Sequence, residues 1–514
     1  MTVEVTFDEN AITAISVPTH SETFGIAWGV ENAPIDTLPA KIVETQSLGV
    51  DTVAGATITS AVLIAAVSDC VGQAGGDAAA LKAVPVEKPA AQDASYDVDV
   101  VVVGAGMAGL SAAITAKENG ANVLLIEKEG VTGGSSARCG GKILAAGTTW
   151  MEKQNQPTDP QLLYDYLLEV GGDFINEDLL KPLVFDSAAS VTWLEDRGVV
   201  FKDVEEVHSN LPIWWVHNAQ GAGGMTDGHG GQFTVPLTNH YEELGGQILY
   251  NCAANELLTD GNGTVTGVKA DQNGATVTIN AKSVILACGG YGQNREMHAR
   301  IPGDDGYITS VGIGNNGDGL VMASAVGAKI FDNPSSAPVF VDLTCGVGGG
   351  ECGGLMVSYK GERIVNEYTY QFHTALAIER TGVSYGWYIA TANDPNASVQ
   401  YGMTLDSTAK ASTLAELAEI TGMDAATLEA TVARYNELCA KGVDEDFGKR
   451  ADHLWPIEGD TIYAFKMTPI ISFTLGGLTI DTGARVLNEN AEVIPGLYAA
   501  GEVAFTGLIG DDYP

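Results

Sequence analysis

The stretch that decides the fold is residues 98–147, VDVVVVGAGMAGLSAAITAKENGANVLLIEKEGVTGGSSARCGGKILAAG. It begins with an almost unbroken β-branched run, residues 98–103, which is typical of a parallel strand buried on both faces. Three glycines follow in the spacing G-x-G-x-x-G. Gly104 permits a tight turn, Gly106 lets a phosphate approach the backbone, and Gly109 lets the next helix pack closely on the strand. The turn therefore predicts a helix N-terminus that faces the phosphates of a nucleotide.

The rest of this stretch completes a dinucleotide-binding unit. Residues 110–120, LSAAITAKENG, predict a helix, and residues 123–126 predict a second buried strand. Glu127 stands at the end of that strand, where an acidic side chain can accept hydrogen bonds from the adenosine ribose hydroxyls. A glycine fingerprint alone can also be an ordinary strand-to-helix turn. The strand, helix, second strand and terminal acid occur in register here, which favours nucleotide binding.

Length, composition and charge bound the possible functions. A chain of 514 residues is expected to form two to four compact units, and its 45% hydrophobic content and 63 glycines suit a loop-rich α/β protein. The 26 basic and 65 acidic residues give a net charge of −39. Nucleic acid and anionic membrane surfaces carry the same sign of charge, so they are disfavoured as partners.

Cysteine usage and hydropathy exclude further classes. The seven cysteines are scattered without a Cys-x-x-Cys pair, which argues against a disulfide framework, a zinc site and an attached c-type haem. We therefore predict no metal site. The sequence contains no apolar run long enough for a transmembrane segment and no signal peptide.

Residues 132–141, TGGSSARCGG, favour FAD over NAD. Here the chain resembles the flavoproteins of the fumarate reductase and succinate dehydrogenase family, in which a Gly-Gly-x-Ser stretch before a Gly-Gly pair runs beside the flavin. Further matching stretches extend the resemblance over about residues 96–514. The resemblance implies an α/β fold: a Rossmann-like FAD-binding domain with an inserted α+β capping domain.

Three later stretches resemble family elements around FAD: residues 283–291, SVILACGGY, residues 316–319, NGDG, and residues 494–503, IPGLYAAGEV, whose glutamate reaches the ribityl chain in relatives. No histidine stands near the Gly-Gly-Ser-Ser stretch to form the covalent flavin link of membrane-bound relatives, so we expect noncovalent FAD. The residues predicted to bind FAD are Gly104, Gly106, Ala108, Gly109, Glu127, Lys128, Gly134, Ser135, Ser136, Gly140, Gly141, Ala254, Gly289, Gly290, Asp318, Gly501 and Glu502.

A second cofactor is predicted in the N-terminal region. Residues 2–17, TVEVTFDENAITAISV, predict a hairpin with a polar turn. Residues 51–60, DTVAGATITS, resemble the attachment motif of the small α+β FMN-binding domain, in which a transferase links the FMN phosphate to a threonine hydroxyl, here Thr57. The alternative is that Thr59 or Ser60 only caps a helix. The position just ahead of an FAD unit favours covalent FMN, held as a phosphoester.

The domain organisation follows from these motifs. We expect an FMN-binding domain at 1–74, a linker at 75–94, an FAD-binding domain at 95–333 and 468–514, and a capping domain at 334–467. The linker is rich in Ala, Pro and charge, so it predicts a tether that keeps FMN close to FAD for electron transfer. Family members extend beyond both ends of this sequence. A missing N-terminal segment with an export signal would place the protein outside the cytoplasm, and its absence would place it inside.

The substrate positions depart from the fumarate-reducing relatives. There, two arginines and two histidines clamp the dicarboxylate, and a third arginine donates the proton. Four of these five positions can be matched, and they carry Ala337, Phe473, Gln371 and Tyr513 here. Without guanidinium forks a dicarboxylate has no bidentate partner, so we expect fumarate not to be the substrate.

Two tyrosines are the predicted catalytic residues. Tyr513 matches a carbonyl-binding tyrosine of the related ketosteroid dehydrogenases, and Tyr370 lies one residue short of their catalytic tyrosine. A phenol can stabilise enolate charge or supply a proton, although each could also be an amphipathic wall residue. We predict reduction of an enone or enoate by hydride from FAD N5, with electrons entering at FMN from a reductase, a quinol-linked donor or a cytochrome. The alternatives are ketosteroid-type dehydrogenation and an electron-transfer flavoprotein with a degenerate substrate site.

Overall fold

The computed structural model of the protein describes residues 1–87, 91–171, 175–206, 215–221, 229–298, 308–331, 336–342, 353–369 and 371–504. Its first strands, β1 (Thr2–Phe7) and β2 (Ile12–Thr19), pair antiparallel. The carboxylate of Asp8 closes the turn by accepting hydrogen bonds from the backbone amides of Asn10 and Ala11 at 2.7 and 2.8 Å, which confirms the predicted hairpin. The helices α1 (Pro34–Thr45), α2 (Thr57–Gln73) and α3 (Ala78–Lys82) follow. Their apolar faces cover the hairpin in a small core around Leu38, Ile42, Leu63 and Val67.

Part of the predicted linker, 75–94, is folded onto this N-terminal unit. Asp77 caps α3 by accepting hydrogen bonds from two backbone amides of its first turn at 2.9 and 3.0 Å. The hydroxyl of Ser47 donates to the carbonyl of Val84 at 2.7 Å, and Leu81 packs on the small core. The first part of the predicted tether is therefore helical, because a carboxylate cap and apolar contacts stabilise α3 within a linker-like composition.

Among the described residues after this unit, the chain forms an eight-stranded and a six-stranded sheet, two smaller sheets of three and two strands, and surrounding helices. The elements up to residue 331 are β3 (Ala94–Val103), α4 (Met107–Glu118), β4 (Val123–Ile126), β5 (Lys142–Leu144), α5 (Thr149–Lys153), α6 (Pro160–Gly171), α7 (Glu177–Phe185), α8 (Ser187–Glu195), β6 (Phe201–Glu205), β7 (Val216–Ala219), α9 (Gly231–Glu243), β8 (Gln247–Leu249), β9 (Cys252–Thr259), β10 (Val265–Gln272), β11 (Ala275–Leu286), α10 (Arg295–His298), β12 (Ile308–Thr309), α11 (Asp318–Ala325) and β13 (Ile330–Phe331). The later elements are β14 (Ser336–Asp342), β15 (Leu355–Val357), α12 (Gln371–Glu379), β16 (Gly386–Ala390), α13 (Ala397–Met403), β17 (Ala409–Ala411), α14 (Leu414–Thr421), α15 (Ala425–Lys441), β18 (Ile462–Thr474), β19 (Gly477–Leu478), β20 (Arg485–Leu487) and β21 (Val493–Ala499).

The larger sheet is built around β3. This strand pairs in parallel with β4 on one side and β11 on the other, and the order across the sheet is β20-β21-β11-β3-β4-β8. Val101 and Val103 enter one hydrophobic core, whereas Val102 enters the core on the opposite face together with Leu110 and Ile114 of α4. The strand is thus buried on both faces, which confirms the Rossmann-like α/β prediction.

The second sheet forms the capping part of the molecule. The long strand β18 pairs antiparallel with β14, β16 and β17 and in parallel with β12. Helices α14 and α15 pack near β17 and β18 in a core that includes Leu417, Leu428 and Tyr435. The sheet extends beyond the predicted 334–467 segment, because β12 precedes it and β18 continues to Thr474. Within the described part of the chain, no helix is long and apolar enough to cross a membrane.

Candidate functional site

A cavity of about 400 Å³ lies at the carboxyl ends of the parallel strands β3, β4 and β11. This edge is where α/β sheets bind nucleotides. The cavity gathers most of the residues that the sequence predicts for FAD. Those that line it are Gly104, Gly106, Ala108, Glu127, Lys128, Gly134, Ser135, Ser136, Ala254, Gly289, Asp318, Gly501 and Glu502.

The three fingerprint glycines play different structural roles. Gly104 has a φ of 103°, and a Cβ there would lie 2.5 Å from the carbonyl oxygen of Ala287. A Cβ on Gly109 would lie 1.8 Å from the Gly104 carbonyl oxygen, so close helix packing requires this glycine. Gly106 has a φ of −75°, and a Cβ there would meet only the Ser136 hydroxyl at 3.4 Å and one more distant atom. The protein itself does not require glycine at 106, so the space beside it fits a ligand phosphate.

Four predicted residues lie outside the cavity lining. Gly109 packs against the carbonyl of Gly104 on the side of the turn away from the cavity. A Cβ on Gly290 would lie 2.1 Å from the Thr474 hydroxyl, so this glycine also supports the wall. The carbonyl of Gly141 accepts a bond from the amide of Ala219 at 3.0 Å, and Gly140 is exposed.

Glu127 joins the glycine turn to the end of β4. One carboxylate oxygen accepts a hydrogen bond from the amide of Ala105 at 2.8 Å, and the other accepts one from the amide of Glu129 at 2.9 Å. Burial raises the pKa of Glu127 to about 7. Each carboxylate oxygen has two lone pairs, so the side chain can still accept bonds from a ribose in the cavity that it lines.

Glu502, at the other end of the cavity, accepts hydrogen bonds from two segments that are distant from it in the sequence. One of its oxygens accepts bonds from the amide and the hydroxyl of Thr474 at 2.8 and 2.9 Å. The other accepts a bond from the side-chain amide of Asn315 at 2.7 Å, and Asn315 in turn accepts one from the amide of Gly292 at 2.7 Å. Neither Asn315 nor Thr474 is among the site residues predicted from the sequence. The signal available for Asn315 was its place inside a glycine-rich loop, GIGNNGDG.

The lysine that lines the cavity is paired, and one cavity thiol is uncharged. Lys128 and Asp318 form an ion pair at its edge. Burial raises the pKa of the Cys288 thiol to about 12, so this thiol stays protonated at neutral pH. Backbone amides at the start of α4 are therefore the main donors that the cavity offers to a pyrophosphate.

Two positions that match the family's dicarboxylate clamp are neighbours in the capping sheet, next to a residue that binds Glu502. Ala337 of β14 and Phe473 of β18 are direct partners in the antiparallel register. Phe473 precedes Thr474, which binds Glu502. Gln371 is the first residue of α12, and this helix packs on β14 and β18. Tyr370 and Tyr513 lie outside the described residues.

The predicted attachment threonine begins a helix. Thr57 is exposed at the first position of α2, and the residue before it, Ala56, provides no side-chain cap. Thr59 instead donates to the Glu22 carboxylate, and the Ser60 hydroxyl donates to the Ala56 carbonyl at 2.8 Å. The alternative in which Thr59 or Ser60 caps the helix is therefore wrong, because both lie inside α2. Its first-turn amides have no capping side chain and can face a phosphate.

Comparisons with known proteins match both predicted cofactor-binding regions of the chain. Residues 1–72 match the FMN-binding domain family, and residues 99–510 match the FAD binding domain family. The chain is 33% identical to urocanate reductase from Eggerthella lenta over 98% of this chain and 85% of that protein. It is 30% identical to NADH:acrylate oxidoreductase from Vibrio harveyi over 98% of this chain and 56% of that protein.

Two solved structures share the fold. The open conformation of a flavocytochrome c3 fumarate reductase has a TM-score of 0.68 at 31% identity and covers 81% of this chain and 74% of that one. The 3-ketosteroid-Δ4-(5α)-dehydrogenase of Rhodococcus jostii RHA1 in complex with 4-androstene-3,17-dione has a TM-score of 0.68 at 27% identity, covering 81% of this chain and 92% of that one.

Proposed function

We propose that this chain, which belongs to the fumarate reductase-like family of FAD-binding flavoproteins and carries an FMN-binding domain, reduces a carbon–carbon double bond conjugated to a carbonyl group. Enzymes of this family are flavin-dependent oxidoreductases that act on carbon–carbon double bonds. The observation that carries the narrower proposal is the register pair Ala337 and Phe473 beside the FAD cavity.

The residues that line the cavity fit FAD. The first amides of α4 would hold its pyrophosphate beside Gly106, Glu127 would accept hydrogen bonds from the ribose hydroxyls, and Glu502 would contact the ribityl chain. The binding is noncovalent, since residues 132–141 contain no histidine. Bound FAD supplies a hydride from N5.

Thr57 is the proposed attachment point of FMN. Its hydroxyl is exposed, and the amides of the first turn of α2 are not capped by a side chain. Gly55, with a φ of 85°, shapes the tight turn before it. A phosphoester there gains favourable contact with the positive end of the helix dipole.

Two positions that carry a histidine in the fumarate-reducing relatives carry Ala337 and Phe473 here. Neither residue type has a side-chain hydrogen-bond donor for a carboxylate. The net charge of −39 further disfavours a doubly charged anion. We therefore expect an uncharged or singly charged enone or enoate. Named relatives act on urocanate, acrylate, vinyl phenol and digoxin, which supports a family site that accepts varied double bonds.

Tyr513 and Tyr370 are the proposed groups for the carbonyl and the proton. Tyr513 donates a hydrogen bond to the carbonyl oxygen as negative charge develops, and Tyr370 supplies the proton. The electron donor is an external reductase or cytochrome, consistent with relatives named for NADH or cytochrome.

A second candidate is the reverse reaction on a ketosteroid-like substrate. The likeness to the Rhodococcus jostii ketosteroid dehydrogenase favours it, because the match extends over 92% of that enzyme's length. The direction of electron flow separates the two functions. A dehydrogenase reduces its FAD on adding a saturated ketosteroid, whereas a reductase does not.

The experiment is an anaerobic screen of the holoenzyme made with the flavin transferase. The prereduced protein is mixed with enones, cinnamate-type acids, urocanate and fumarate, and flavin reoxidation is followed by absorbance. We expect an enone or monocarboxylic enoate to reoxidise the flavin and fumarate to react slowly. Robust fumarate reduction would refute the substrate proposal, and no reaction with any acceptor would favour an electron-transfer role.

A further inference from the structure

The wall of the FAD cavity is one residue thick where it meets the N-terminal unit. Glu129 lines the cavity. On its other side, a Cβ on Gly55 would lie only 2.1 Å from the Glu129 carboxylate. The adjacent amide of Gly130 donates a hydrogen bond to the Ala54 carbonyl at 3.0 Å. The loop that leads to Thr57 therefore lies directly against the outer face of the cavity wall.

Arg138 joins this loop to the wall with a single guanidinium group. One of its terminal nitrogens donates to the carbonyl of Gly134 at 2.6 Å, and Gly134 lines the cavity. The other donates to the carbonyl of Gly55 at 2.8 Å. The same nitrogen lies 3.9 Å from the Glu129 carboxylate. The planar fork of arginine can make these contacts together, whereas the single ammonium of lysine cannot reproduce that geometry.

Glu129 is a buried carboxylate, and one of its oxygens has no hydrogen-bond partner among the described residues, so the nearby Arg138 cation supplies its charge pairing. Only 4% of the residue is exposed. One oxygen accepts a bond from the amide of Gly314, another cavity residue, at 2.9 Å, and the other oxygen faces Arg138 and Gly55. A buried charge is costly unless it is paired. Removing Arg138 would leave this carboxylate against the attachment loop without its cation.

An apolar contact supports the same interface. Phe24, Ile26 and Ala56 of the N-terminal unit share a buried cluster with Val131, Ala137 and Val235 of the FAD-binding part. A Cβ on Gly231 would lie 2.2 Å from the Phe24 carbonyl oxygen, so the two backbones are in close contact. Burial of this cluster favours one docked arrangement over a loosely tethered unit.

We propose that Arg138 is a positioning residue that fixes the FMN-attachment loop, residues 53–57, on the wall of the FAD cavity. The inference rests on the proposed attachment of FMN to Thr57 and deepens it. The separation of the two flavin sites is then set by packed protein rather than by linker length. The transfer FMNH2 + FAD → FMN + FADH2 balances without a further reactant and would run between two sites that packed protein holds at a fixed separation.

The test measures hydrogen–deuterium exchange in the full chain carrying both flavins. In Arg138→Gln, amides of residues 53–57 and of Gly130 should exchange about tenfold faster or more, as expected for loss of a charge-assisted hydrogen bond. Amides of β3 and β11 should not change. Arg138→Lys should restore only part of the protection. Reduction of FAD through FMN should slow, while direct reduction of FAD by dithionite keeps its rate.

Arg197→Gln is the matched control, because Arg197 also binds a carboxylate, Glu118 of α4, but from the turn after α8. It should leave exchange at residues 53–57 unchanged. Gly55→Ala tests the contact from the other side and should also speed exchange at Gly130. If exchange at residues 53–57 is unchanged in both Arg138→Gln and Gly55→Ala, the docking proposal is refuted. An unmodified intact mass would instead refute FMN attachment, so the two failures are distinguishable.

Discussion

The glycine turn allows a ligand role to be separated from a packing role by two single substitutions. Gly106→Ala and Gly109→Ala add the same methyl group three residues apart. At 109 the Cβ would lie 1.8 Å from a backbone carbonyl oxygen, and at 106 it would lie 3.4 Å from a hydroxyl. We therefore expect Gly109→Ala to damage the fold and Gly106→Ala to damage cofactor binding.

The magnitudes follow from these distances. A methyl group forced against backbone costs about 3 kcal/mol, and replacing a helical glycine by alanine returns about 1 kcal/mol, so Gly109→Ala should destabilise by about 2 kcal/mol. For a domain of this size that lowers Tm by about 4–8 °C. Gly106→Ala should lose a few tenths of a kcal/mol of stability because alanine is a poorer N-cap than glycine. It should gain a similar amount because alanine lowers the conformational entropy of the unfolded chain. The Tm of the flavin-free protein should therefore change by less than about 2 °C.

Cofactor affinity should show the opposite order. In Gly106→Ala the methyl group stands where the pyrophosphate approaches the backbone, and loss of about two hydrogen bonds to a charged group costs about 3 kcal/mol, or roughly a hundredfold in Kd. The assay pairs thermal unfolding of flavin-free protein with titration of FAD followed by flavin fluorescence. Equal loss of Tm in both variants, or unchanged FAD affinity in Gly106→Ala, would refute the assignment of the cavity.

Three further outcomes test other parts of the molecule. Protein made with the flavin transferase should gain the mass of one FMN, which Thr57→Ala abolishes, and acid should release FAD while FMN stays in the pellet; FAD retained in the pellet would contradict noncovalent binding. Burial raises the pKa of Glu127 from 4.5 to about 7, so the unfolded chain loses this proton first and stability falls between about pH 4.5 and 7. In flavin-free Glu127→Gln, the free energy of unfolding measured with urea should fall by about 3 kcal/mol less than in the parent protein over this pH range. An identical pH dependence in both proteins would show that Glu127 is not buried in this way. Tyr513→Phe should lower turnover by about 10²–10³ and Tyr370→Phe should slow reoxidation by about 10²–10⁴ at unchanged FAD content, whereas full rates in both would remove the tyrosines from the mechanism.

The sequence by itself determined the nucleotide-binding core. The β3 run, the spacing of Gly104, Gly106 and Gly109, and the acid after β4 are local patterns, and local patterns encode strand burial, tight turns and helix starts directly. The hairpin with its Asp8 turn was predictable for the same reason. The absence of arginine and histidine at the positions matched to a dicarboxylate clamp is a prediction from residue types alone.

Only the tertiary structure decided how remote segments share the site. Asn315 and Glu502 are 187 residues apart, and Arg138 and Gly55 are 83 apart, yet each pair is joined by one hydrogen bond. Neither bond leaves a periodic or spaced pattern in the chain. The docking of α3 is also a remote contact, because Leu81 packs on the small core and Ser47 binds the carbonyl of Val84 just after the helix. Such contacts are chosen by the three-dimensional fit of finished elements, so they become visible only when the chain is folded.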